Sequence, residues 1–167
     1  MKIMAIADTH NDTYYTQLAL DVFTEESYDK LFVLGDIGLR TISLLNPYHA
    51  RILAVKGNCD GEEEEAKARF QLPLITFDYD FGRMIVLTHG HFYTPYDYDQ
   101  DYQIFLSGHS HLSGIYQKED GKIIANPGSL ASPRDYNHSY LALDETGLKV
   151  KDVETGEVVH FLDYRKG

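Results

Sequence analysis

Five short segments place metal-ligating side chains directly behind apolar runs: "DTH" at 8–10, "GD" at 35–36, "GNCD" at 57–60, "THGH" at 88–91 and "GHSH" at 108–111. Five of the eight histidines fall in them, so the imidazoles are concentrated rather than scattered. Carboxylate, imidazole and amide oxygen together suit borderline divalent ions such as Mn, Fe, Zn or Ni, whereas an all-carboxylate set would point to Mg or Ca. Two such ions about 3.5–4 Å apart need a bridging carboxylate; they share a hydroxide and clamp the attacking and leaving oxygens of a phosphoryl displacement. Asp36 is the natural bridge. Singly, each segment has an ordinary reading: "DTH" or "GD" behind a strand is a turn or a helix cap, and one His there is a hydrogen-bonded polar residue. Five in order, each at a strand end, favour ligands. Gly35, Gly57, Gly90 and Gly108 beside them are expected to let the backbone turn sharply out of each strand.

The elements that must position these residues are apolar, β-branched runs that read as strands: 3–7, 31–34, 51–56, 83–88 and 104–107, with further strands at 122–126, 139–144 and 158–164. After the first, Asn11 or Asp12 caps a helix whose Tyr15, Leu18, Ala19, Val22 and Phe23 form one apolar stripe. A second helix is expected after "GDIG" and a third over "EEEEAKARF". From Arg83 onward strands dominate, with hairpin-like turns at 119–122 and 145–148. The pattern predicts a parallel region joined to an antiparallel one within a single α/β domain over residues 1–167. Ligands of open α/β sheets collect at the carboxyl ends of the strands, so the five segments should converge on one crevice.

Composition excludes several functions. With 15 basic against 26 acidic residues the net charge is −11, which repels a long polyanion and disfavours duplex nucleic acid as a partner, and with it a nuclease. No apolar run approaches the roughly 20 residues of a membrane span. The opening "MKIMAIAD" is too short for a signal-peptide core, and the single Cys59 closes no internal disulfide, so a cytoplasmic location is expected. The run "DGEEEE" at 60–65 reads as the solvated first turn of a helix and is assigned no chemistry. His49, His138 and His160 read as ordinary polar residues. In the irregular stretch 92–103, Pro95 argues against a helix; Tyr93, Tyr96, Tyr98 and Tyr102 either pack on the body or a neighbouring subunit, or stack on an aromatic substrate. The 13 tyrosines leave room for a homo-oligomer.

With its five motifs in this order the chain resembles the calcineurin-like metallophosphoesterase superfamily. Small size, "GNCD", and "NPGS" at 126–129 followed by Pro133 and Arg134 narrow the resemblance to small phosphodiesterases of the YfcE type. It implies an αββα sandwich of two mixed β-sheets flanked by helices, with no cap domain and therefore an open site. It further implies a first divalent ion held by Asp8, His10, Asp36 and His111, and a second held by Asp36, Asn58, His89 and His109. Manganese is favoured, with Ni, Fe, Zn or Mg as alternatives. Asp36, Asn58 and His91 are the expected catalytic residues, His91 either touching the phosphoryl group or orienting His89. Where relatives carry a His that assists the leaving group this chain has Cys59, whose thiol, ordinarily near a pKa of about 8.5, is a weak donor. The reaction should then lean on the metals and on good leaving groups. The implied activity is metal-dependent hydrolysis of a small phosphodiester through a bridging hydroxide. A phosphomonoesterase would use the same centre, with Arg134 the one candidate for the extra anionic oxygen. A non-catalytic scaffold like the small retromer subunit is the competing class, although a scaffold has no physical need for seven converging ligands.

Overall fold

The computed structural model describes residues 1–164; the last three residues of the expected domain lie outside them. In chain order the elements are β1 (Ile3–Ile6), α1 (Thr13–Glu25), β2 (Lys30–Val33), α2 (Leu39–Leu45), β3 (Ile52–Ala54), α3 (Glu62–Lys67), β4 (Ile75–Asp80), β5 (Arg83–Thr88), β6 (Ile104–Leu106), β7 (Gly114–Gln117), β8 (Ile123–Asn126), β9 (Ser139–Leu143), β10 (Gly147–Asp152) and β11 (Val158–Asp163). They form two mixed sheets, one ordered β11-β10-β9-β1-β2-β3 and the other β4-β5-β6-β8-β7.

Register is what gathers the motifs. In the parallel trio β1, β2 and β3, Ile6 lies beside Val33 and Val33 beside Ala54, so the loops carrying Asp8, Asp36 and Asn58 leave at one edge. In the other sheet Leu87, Leu106 and Ala125 are neighbours across parallel β5, β6 and β8, which brings the "THGH", "GHSH" and "NPGS" loops to a common edge. Strand alternation then sorts the core. Ile3, Ala5 and Phe32 face Ile85, Leu87, Ile104 and Leu106 between the sheets. Met4, Ile6, Leu31 and Val33 face outward onto Leu20 and Phe23 of α1 and Ile42 and Leu45 of α2.

The outer layers differ. Helices cover the six-stranded sheet, whereas Val86 and Phe105 of the five-stranded sheet lie under Tyr93, Tyr98 and Tyr102 of the irregular 92–103 stretch. Tyr98 and Tyr102 meet Phe105 with ring centroids 5.7 and 5.4 Å apart, an edge-to-face arrangement that aromatic quadrupoles favour. Packing on the body is thus the role of three of the four tyrosines, while Tyr96 stays 92% exposed.

Several local readings change. Asp12, not Asn11, caps α1, its Oδ1 accepting from the Tyr15 N–H at 3.0 Å; Asn11 turns the other way and accepts from the Arg40 N–H at 2.8 Å. β3 begins at Ile52 because Asn46–Arg51 forms a 3-10 turn with Pro near its start, and α3 stops at Lys67. β4, β7 and β10 were not expected as strands. In β4 and β10 aspartate and lysine alternate with apolar residues on a half-solvated face, which hides the strand from a search for apolar runs. The turns at 119–122 and 145–148 do join hairpins, β7 to β8 and β9 to β10.

Candidate metal centre

The structure brings all seven predicted ligands together. On one side Asp8, His10 and His111 converge: His111 Nε2 is 3.4 Å and His10 Nε2 3.7 Å from Asp8 Oδ1, and the two ring nitrogens are 3.3 Å apart. On the other, His89 Nε2 lies 3.1 Å from Asn58 Oδ1 and 3.3 Å from His109 Nδ1. Asp36 Oδ2 stands between them, 3.2 Å from His89 Nε2 and 3.7 Å from His10 Nε2. The triads Asp8–His10–His111 and Asp36–His89–His109 each offer ligand atoms within 4.8 Å of one another.

Strand-end loops aim these groups by adopting uncommon backbone. Asp8, His10, Asp36, His109 and His111 all have positive φ, between 40° and 72°. Asp, Asn and His tolerate this region better than other non-glycine residues, yet such angles persist only where the surroundings hold them, and they cluster at functional sites. The glycines serve two needs. Gly35 has a φ of 92°, the turn expected of it. Gly57 has no such angle; a Cβ there would collide with the Asp36 carboxylate, so what it grants is close approach.

Hydrogen bonds set the orientation of each donor. His89 Nδ1 donates to the Leu34 carbonyl at 2.7 Å and His111 Nδ1 to the Ser132 carbonyl at 2.8 Å. Both Nε2 lone pairs are thereby turned inward, the arrangement of metal-bound histidines. Asp36 Oδ1 accepts from the Cys59 N–H at 2.8 Å, and Asp8 Oδ2 from the His109 N–H at 2.9 Å. Asp8 Oδ1 is buried and accepts no hydrogen bond. A buried, unsatisfied carboxylate oxygen is costly, and a cation is what would relieve it. The donor set therefore fits divalent metal ions.

Electrostatics of the protein alone point the same way. Burial raises the Asp8 carboxyl above its ordinary value, against the pull of His89 and His111. Burial acts on Asp36 as well, but in the metal-free protein the hydrogen bond from a protonated His89, whose pKa is itself raised, against burial, by Asp36, and that from the Cys59 N–H outweigh it and bring the carboxyl down to about 2. Desolvation, then repulsion from His89 and His109, lowers His91. The Cys59 thiol is pushed up by desolvation and by Asp36.

Two supports escaped the sequence reading. Asp60, buried, accepts from the N–H groups of Asp36, Ile37 and Gly57, each at 2.9 Å, clamping the Asp36 loop to the Asn58 loop. The signal was present in "GNCD", but the acidic run that follows disguised it as a helix start. The "NPGS" loop braces the centre from below: Ser129 Oγ donates to the Asp8 carbonyl at 2.8 Å and Asn126 Nδ2 to the Gly108 carbonyl at 3.0 Å. His91 lies beside the centre, its ring centroid 5.4 Å from that of His89, while Leu34 rather than His91 holds His89 in place. Arg134 is exposed and bonds through its N–H to the His111 carbonyl at 2.9 Å.

Comparison with known proteins agrees with this geometry. Residues 1–147 match the model of the calcineurin-like phosphoesterase superfamily domain. Phosphodiesterase YfcE of Escherichia coli is 29% identical over 170 residues, covering 90% of this chain and 91% of that protein. Its solved structure superposes with a TM-score of 0.91 over 98% of this chain and all of the other, at 26% identity. Phosphodiesterase MJ0936 of Methanocaldococcus jannaschii is 26% identical over 140 residues, 77% of this chain and 83% of that one. Vps29 of Entamoeba histolytica, solved in complex with zinc, shares the fold with a TM-score of 0.71 at 21% identity over 98% of this chain and 99% of that one.

Proposed function

Since the chain belongs to the calcineurin-like phosphoesterase superfamily, we propose that it hydrolyses a small phosphodiester at a centre of two divalent ions, manganese being favoured. Membership makes it a hydrolase of phosphoric ester bonds. The observation that carries the finer reading is the position of Asp36 Oδ2 between the two histidine clusters. Asp8, His10 and His111 would hold the first ion with Asp36, and Asn58, His89 and His109 would hold the second with the same carboxylate. When bound, such ions supply a hydroxide nucleophile and neutralise charge on the phosphoryl group.

The chain's own residues define the rest. Asp60 and the Cys59 N–H keep the Asp36 carboxylate in place. His91, its ring centroid 5.4 Å from that of His89, faces the phosphoryl group as a hydrogen-bonding partner. Cys59 stays protonated, and a thiol donates weakly, so good leaving groups are preferred. Among the described residues no lysine or arginine side chain bonds to any of the seven ligands. The singly charged diester therefore suits the site better than the dianion of a monoester, which calls for extra cationic donors.

The test is hydrolysis of bis(p-nitrophenyl) phosphate beside p-nitrophenyl phosphate, by metal-stripped protein titrated with Mn, Ni, Zn and Mg and with His111→Ala as control. Metal-dependent turnover that favours the diester and is lost in the variant supports the proposal. Turnover of neither ester with any ion, although two ions bind, would move the reading to a protein-interaction scaffold.

A further inference from the structure

Next to the centre the uncovered part of the five-stranded sheet forms an apolar groove that the metal ligands alone do not explain. It has a volume of 530 Å³, within the range of about 300–1,000 Å³ typical of small-molecule sites. Ile115 and Tyr116 of β7 and Ile124 of β8 line it on the sheet side, and Leu112, Tyr96 and His109 line it from the loops. The groove exists because the aromatic layer stops short: Tyr98 and Tyr102 pack onto Phe105, while Tyr96 and Tyr116 remain 92% and 63% exposed.

Three features narrow what it would hold. First, it is continuous with the centre, since His109 presents Nδ1 to His89 while bordering the groove. A phosphoryl group at the centre thus has one ester arm within reach of it. Second, its lining contains no Asp, Glu, Lys or Arg, although the chain carries a net charge of −11, so the arm should be uncharged. Third, Asn126, the one amide in the lining, is already committed: its Nδ2 donates to the Gly108 carbonyl and Ser110 Oγ, and its Oδ1 accepts from the Gly128 N–H. His109 apart, the remaining polar side chains of the lining are hydroxyls, among them Ser107 and Ser110, so the largest surfaces offered to a guest are ring faces. Exposed tyrosines flanking an aliphatic strip suit a flat aromatic ring, and stacking of this kind tolerates many ring types.

We infer that the groove receives an uncharged aromatic ester substituent of the phosphodiester, with Tyr96 and Tyr116 as the specificity-determining residues. The inference rests on the two-metal reading above and adds the substrate class.

Binding calorimetry on the manganese-loaded protein, comparing methyl(phenyl)phosphinate with dimethylphosphinate, tests it. Both probes are monoanions like a diester and offer the same two phosphinyl oxygens to the centre, and only one carries a ring. Methyl(phenyl)phosphinate should bind about tenfold more tightly, at the lower end of what stacking on an aromatic side chain contributes. The advantage should vanish in Tyr96→Ala/Tyr116→Ala, with dimethylphosphinate affinity unchanged, and persist in Tyr96→Phe/Tyr116→Phe. Both tyrosines are exposed, so the variants should fold. Equal affinity of the two probes, or an advantage that survives the double alanine variant, overturns the groove assignment alone. Binding of neither probe overturns the metal-centre reading and the groove with it.

Discussion

The two halves of the proposed centre are built alike but charged differently. Each has one imidazole fixed by a backbone carbonyl, His111 by Ser132 and His89 by Leu34, and one less constrained imidazole, His10 or His109. Each shares Asp36. The first half, however, adds a second carboxylate, Asp8, fully buried with an oxygen that accepts no hydrogen bond. The second adds only the neutral, exposed amide of Asn58. Two buried carboxylates attract a divalent ion far more strongly than one. The first ion should therefore be held tightly and stabilise the fold, while the second exchanges more readily.

The sharpest way to break this comparison is at the shared residue. Asp36→Ala should lose both ions and lower kcat/KM by about a thousandfold or more, measured on bis(p-nitrophenyl) phosphate. Changes confined to one half should separate them. Asp8→Asn should weaken the tighter manganese site about a hundredfold, and Asn58→Asp should strengthen the weaker one about tenfold, by calorimetry. If both variants altered the two sites equally, the charge difference would not be the cause. A smaller effect is expected for Asp60→Asn, which leaves every ligand in place but weakens the clamp on the Asp36 loop. Metal affinity should fall about 10- to 100-fold, with a stability loss of about 1–3 kcal/mol in urea unfolding.

The smallest effect lies in the pH dependence of the metal-free protein. Asp36, held down to about 2, contributes stability that is complete above the ordinary carboxylate value and lost as pH falls through about 2. Asp8, raised by burial, acts in reverse: its charge costs stability above the ordinary value, and protonation on acidification relieves that cost. Metal-free Asp8→Asn should accordingly be more stable than wild type near pH 6, with the gap closing below about pH 4. Urea unfolding across that range checks the sign.

Much of the candidate centre was legible in the sequence, because the residues it gathers come from strand ends and the strands that aim them are apolar. Asp8, Asp36, Asn58, His89 and His109 each follow a buried run, and parallel pairing does the gathering. What escaped detection depended on tertiary structure. Asp60 looked like part of the acidic start of α3, and only folding shows three N–H groups converging on it. Gly57 looked like a turn residue, whereas the constraint is proximity to Asp36. The charged alternation of β4 and β10 concealed two strands, and the stretch 92–103 did not disclose that Tyr98 and Tyr102 would take the place of a covering helix while Tyr96 was left beside a groove.

The central claim is that Asp36 joins two ion sites into one catalytic centre. It is tested most directly by counting manganese ions bound per chain while following diester turnover, in wild type and in Asp36→Asn. Two ions per chain, turnover rising only as the second site fills, and loss of both ions with turnover in the variant is the expected result. Full turnover with a single ion, or a variant that keeps both ions and its activity, would contradict it.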